Sequence, residues 1–121
     1  EQQLVDLNLD LILAYASNDG LTPAQQRAFA RMGELKRAVE ALDNQIENES
    51  NARDRVFEEQ ERVRENIKAV PENSDLQRRY LRSMGQLEDE AEAHKRAIDR
   101  LEQQRVSERQ RLADYVAGLQ L

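Results

Sequence analysis

The stretch KAVPENSDLQRRYL, residues 68–81, decides how this chain folds. On either side of it the sequence repeats apolar residues at spacings of three and four, the pattern of a helix burying one stripe. Pro71 interrupts that pattern. Proline disfavours helix at the residue before it and cannot donate to the helical hydrogen-bond ladder. SDLQ (74–77) then restarts a helix, with Ser74 as N-cap and Gln77 at N3, a capping box. The spacing therefore predicts two long helices joined by a turn over 71–74.

The first helix is expected over 22–70. TPAQ (22–25) opens it with Thr22 as N-cap, Pro23 at the first helical position, where its missing N–H costs nothing, and Gln25 completing a box. Its seam runs through Ala28, Met32, Leu35, Val39, Leu42 and Ile46, then Val56, Val63, Ile67 and Val70. The second helix, over 75–119, carries Tyr80, Met84, Leu87, Ala91, Ile98, Leu101, Leu112, Tyr115 and Leu119, with Gly118 marking a fraying end. Each would be roughly 70 Å long at 1.5 Å per residue.

A turn of about four residues cannot return a parallel helix, so the two must run antiparallel. One register then satisfies both seams. Opposing Ile67 to Tyr80 also opposes Val63 to Met84, Ile46 to Leu101, Leu35 to Leu112 and Ala28 to Leu119. The expected fold is all-α: a long antiparallel two-helix coiled-coil hairpin over 22–121. The register leaves polar layers. Glu49 opposes Ile98, Arg53 opposes His94, Gln60 opposes Leu87, and Leu42 and Val39 oppose Arg105 and Glu108. Such residues either snorkel and pair at the edge of a thin seam or set its register at a cost in stability. Glu49, Arg53 and His94 are the candidates for the second role, and Glu49 with Arg53 is spaced as an i,i+4 pair.

Residues 1–21 differ in kind. LVDLNLDLILAY (4–15) first alternates and then becomes a solid apolar run. It reads as a strand tail or, over 9–17, as a short helix. Its expected place is the open end of the hairpin, against Phe29, Met32, Tyr115, Val116 and Leu119. A partner chain or a preceding domain is the other outlet.

Composition agrees with long, solvated helices. Charged residues make up 35% of the chain and aromatics 4%, too few for a broad core. The net charge of −6 sits mostly in residues 1–21, which contain Glu1, Asp6, Asp10 and Asp19 and no base; the two helices are nearly balanced. Balanced helices argue against a nucleic-acid footprint. No apolar run approaches the roughly 20 residues a membrane span needs, so no membrane insertion is expected. There is no cysteine, no visible signal peptide and no glycine-rich phosphate loop. A cytoplasmic location is the default reading, although a signal on a longer precursor would not show.

The single histidine, His94, lacks the second ligand that a Glu-x-x-His bundle site needs, since position 91 is alanine. No nucleophile–base set can be assembled. No catalytic, metal or cofactor site is expected, and no enzyme. What remains is contact with a protein partner or self-association, including as a homodimer. Arg78, Arg79 and Arg82 form a basic knot beside the turn, partly neutralised by Glu65, Glu72 and Asp75. Phe57 and Leu81 are apolar residues off the main seam. These five are the candidate partner-contact residues.

A faint echo links RMGELKRAVEALDNQI (31–46) to SMGQLEDEAEAHKRAI (83–98). It sets Gly33 and Gly85 at matching mid-helix positions, where glycine costs about 1 kcal/mol relative to alanine. Close approach of another backbone would explain them; so would tolerated drift.

ERVRENIKAVPENSDLQRRYLRSMGQLEDEAE (61–92), the closing LADYVAGLQL (112–121) and LILAYAS (11–17) together resemble the C-terminal hairpin of bacterial mucoidy-inhibitor-A-like proteins, which contain domains of unknown function. The resemblance implies a β-rich domain preceding an apolar segment and a helical hairpin. It places this chain as the C-terminal part of a larger bacterial protein and brings no catalytic residues with it.

Overall fold

The computed structural model describes residues 20–119. Residues 1–19 and 120–121 lie outside it, and with them the expected helix over 9–17 and its packing at the open end. The described residues are all-helical, with two long helices packed against each other in a helical hairpin and no strand. Helix α1 is Pro23–Ala69, 47 residues, and α2 is Asp75–Ala117, 43 residues.

The boundaries follow from capping chemistry. At the start of α1 the capping box is complete. The Thr22 amide donates to Gln25 Oε1 at 3.0 Å, and the Gln25 amide donates back to Thr22 Oγ1 at 3.1 Å. Thr22 is therefore the cap and Pro23 the first helical residue. Gly20, just before it, has φ +105°, a conformation open to glycine. The helix stops at Ala69, leaving Val70 outside because Pro71 comes next. Helix α2 ends two residues before the expected Leu119. Its last carbonyls are met by the amides of Gly118 (to Asp114, 3.0 Å) and Leu119 (to Val116, 3.3 Å).

The turn closes through the Ser74 amide, which donates to the Pro71 carbonyl at 3.3 Å. The third turn residue, Asn73, has φ 62°. A positive φ at this position suits glycine or asparagine. The second capping box is displaced as a result. Ser74 Oγ accepts from the Gln77 amide at 3.1 Å, but Gln77 Oε1 accepts from the Asn73 amide, 2.8 Å, because the Ser74 amide is already used in the turn. Arg78 adds a bond to the Asn73 carbonyl at 2.7 Å and an ion pair with Asp75. Ser74→Ala removes one of these bonds and is expected to cost about 1 kcal/mol. Urea unfolding monitored by circular dichroism should show a lower midpoint with an unchanged slope.

The described residues form two compact units, 20–43 with 103–119, and 44–102. In the first, Met32 and Leu112 are fully buried with Leu35, and Phe29, Tyr115, Val116 and Leu119 pack around them. Ala28 and Val39 are buried in the same unit. Phe29 and Val116 widen the apolar face here, each one position beyond the seam. Asp43 accepts from Arg105 at 2.9 Å and lies 3.9 Å from Arg109. Arg105 thus reaches a carboxylate beside Leu42, which lets a polar residue occupy the seam.

In the second unit Val56, Val63, Ile98 and Leu101 are buried. Ile46, Ile67, Tyr80, Met84 and Leu87 are half-buried, since a two-helix seam has nothing covering its flanks. The surface carries i,i+3 Glu–Arg pairs. At one of them hydrogen bonding from Arg62 holds the Glu59 carboxyl below its usual range and raises Arg62 in turn. Such exposed pairs contribute little, because water and salt screen them.

Candidate interaction surface

The turn end gathers the basic residues that the sequence singled out. Arg78 is committed to Asp75 and the turn, and Lys68 lies 3.5 Å from Glu65. Arg79 and Arg82 make no ion pair among the described residues. With Asp75, Leu76 and Arg78 they line a shallow depression of about 400 Å³. Leu76 and Leu81 are 43% and 52% exposed. Beside the turn there is thus a surface with two unpaired guanidinium groups and two exposed leucines. Arginine forks bind carboxylates bidentately, and the exposed apolar area supplies the rest of a contact.

A second depression of about 390 Å³ lies farther along the same unit. Its floor is Ala91 and the buried Ile98, and Phe57, 47% exposed, forms one wall. Arg53 lies over the Phe57 ring, 5.8 Å from its centroid. That geometry gives a cation–π contact of about 0.5–1 kcal/mol at an exposed site. Four carboxylates, Glu88, Glu92, Asp99 and Glu102, and one ammonium, Lys95, complete the rim. The sequence reading picked out Phe57 but missed this groove. Its signal was the spacing of the acids along α2, which keeps the helical three-and-four repeat beside the main seam.

His94, expected at the seam edge near Arg53 and Glu49, bonds to the second of them. His94 Nδ1 lies 2.6 Å from Glu49 Oε2, both partly buried, so the cross-helix partner of His94 is Glu49 and not Arg53. The expected Glu49–Arg53 pair is absent. Arg53 turns toward Phe57 and the adjacent Asp54, 3.9 Å away, and its Nε is buried without a hydrogen bond. The His94 ring nitrogen on the facing helix draws Glu49 across the seam, while the flat guanidinium of Arg53 covers an aromatic face. Gln60 is the one buried polar side chain among the described residues, 4% exposed, and it donates to Glu88 Oε1 at 2.8 Å. Gly33 is buried whereas Gly85 is exposed, with open space where a Cβ would sit. The sequence echo therefore does not place them in equivalent surroundings.

Among the described residues no group of three or more His, Cys, Asp or Glu side chains converges as a metal site, and no helix is long and apolar enough to cross a membrane. Comparison of the chain with protein-family models, with curated proteins and with solved structures gave no match.

Proposed function

We propose that this chain is a non-catalytic structural and protein-interaction module: a long antiparallel two-helix coiled coil, the C-terminal part of a larger bacterial protein, that presents its turn end and one flank to a protein partner. The observation carrying this reading is the distribution of buried apolar side chains. Ala28, Met32, Leu35 and Val39, then Val56 and Val63, recur at spacings of the heptad seam, and Ile98, Leu101 and Leu112 do the same on α2. Cross-helix bonds supply the order. Glu49 meets His94 while Gln60, farther along α1, meets Glu88, earlier on α2. Residue numbers rise on one helix as they fall on the other, as an antiparallel pair requires. A single narrow stripe leaves the remaining surface to charge, and such an object acts by spacing and docking.

Spin labels at the exposed positions Gln45 and Glu102 test the architecture. Helix axes about 8–10 Å apart should bring the labels within about 25 Å in one molecule, even when spin-diluted. Labels well beyond that distance would end the coiled-coil reading. The module reading also predicts no binding to duplex DNA or RNA in low salt, because the helices are nearly charge-balanced, and no suppression of aggregation of a denatured client protein. Salt-sensitive nucleic-acid binding would replace it with a nucleic-acid-handling arm. Holdase behaviour would replace it with a chaperone-like arm.

A further inference from the structure

We propose that the groove walled by Phe57 in the 44–102 unit binds a basic amphipathic helix of a partner protein. The inference rests on the interaction-module reading above and gives that partner a chemistry. The groove exists because the seam is thin at this level. Position 91 is a seam position filled by alanine, too short to occupy the space beside Phe57. The hollow of about 390 Å³ has the buried Ile98 in its floor and leaves the Phe57 ring 47% exposed. An exposed ring beside a small-residue hollow is the kind of feature into which a partner helix inserts an apolar edge. Gly85, one turn before Glu88 on the same flank, has open space where a Cβ would sit, so the mouth of the groove toward the turn is clear.

Charge says what fits there. Between residues 47 and 57 of α1 and 88 and 102 of α2, the positions beside the seam on the Phe57 flank hold Glu47, Asp54, Glu88, Glu92, Asp99 and Glu102 against Lys95. The equivalent positions on the opposite flank hold Arg55, Glu90 and Arg100 among alanines and one asparagine. Acid is thus concentrated on the side that carries the groove. Arg53, the other cation lining it, lies over Phe57, and Arg96 on the outer surface of α2 reaches Glu92 at 3.5 Å. Glu88 accepts from Gln60, whereas Asp99 and Glu102 meet no cation among the described residues.

These acids disfavour the chain's own apolar segment, since residues 1–21 carry four acids and no base. A second copy presenting this same flank would be repelled as well. A helix with apolar residues at i, i+3, i+4 and i+7 and Lys or Arg beside them satisfies both features. Its apolar edge covers Phe57, Ala91 and Ile98, and its cations reach the acids of both helices. From Glu88 to Glu102 the groove follows α2 for about 22 Å, so about four turns of partner helix fill it.

Calorimetric titration of the full chain tests this with a synthetic helical peptide of about 18 residues, leucine on one face and lysine elsewhere. A scrambled peptide of the same composition is the reference. The wild type should bind the amphipathic peptide at least about tenfold more tightly than the scrambled one, and more weakly in high salt. Asp99→Lys/Glu102→Lys should weaken binding at least about tenfold, and Phe57→Ser to a similar degree. Glu58→Lys/Asp89→Lys makes the same change in net charge on the exposed outer surfaces and should alter binding by less than about twofold. Equal loss in both charge variants, no preference over the scrambled peptide, or tighter binding of a leucine–glutamate peptide would overturn the proposal. So would a wild type that dimerises through Phe57 without peptide, which would assign the groove to a second copy. Circular dichroism and the Gln45–Glu102 label distance stay unchanged throughout if the coiled coil itself stands, so this inference can fail without that one.

Discussion

Leu112→Ala should lower the unfolding free energy by about 3 kcal/mol, within the range of about 2–5 kcal/mol for truncating a buried leucine. The leucine is 1% exposed and packs with Met32, which has no exposure at all, and with Leu35. Two effects set the size. Losing the apolar atoms costs the transfer term, and the void left beside Met32 forfeits dispersion contacts on all sides. Methionine is flexible enough to collapse partly into the gap, which keeps the cost from the top of the range. Chemical denaturation monitored at 222 nm measures it. The same truncation at Val106, which is 67% exposed on the same helix, should change stability by less than about 0.5 kcal/mol. Equal effects at the two positions would mean that the apolar face near Met32 is not the core.

Gln60→Leu should act in the opposite direction and stabilise the chain by about 1 kcal/mol. Gln60 occupies a seam position, 4% exposed, and spends its amide on one bond to Glu88. A net hydrogen bond of this kind contributes about 1 kcal/mol, whereas a fully buried leucine gains about 1.5–3 kcal/mol. Glu88 is exposed, so losing Gln60 returns its carboxylate to water and leaves no buried orphan. Why the chain keeps glutamine is then a matter of alignment. A continuous apolar seam would also accept pairings shifted by one heptad, and a buried amide with a fixed partner penalises them. The variant should therefore melt at higher temperature while its label distances between Gln45 and Glu102 broaden. A variant less stable than the wild type would show that the amide contributes more than the apolar area it displaces.

The fold was largely legible in the sequence because its signals are local and redundant. Thr22-Pro23, Pro71 and Ser74 each fix a boundary through backbone chemistry that tertiary contacts have little power to override. The seam spacing alone identified Met32, Leu35, Val63 and Leu112 as buried. The polar layer was harder to read. Whether Arg53 joins Glu49 or lies over Phe57 is a choice between interactions of similar strength, decided by the rotamer and by which groups the facing helix brings near. The groove at Phe57 was harder still. It depends on residues of two helices meeting at one level, and its acids look, in sequence, like any solvated face. The displaced box at Ser74 shows the same limit on a small scale, since the motif names the participants but not which amide is already taken.

The closed pair of bonds between Thr22 and Gln25 has a consequence for assembly. A helix whose first amides are met by its own side chains needs no help from the chain upstream to hold its first turn. Changes ahead of Gly20 leave these two bonds in place, so the start of α1 is written in residues 22–25.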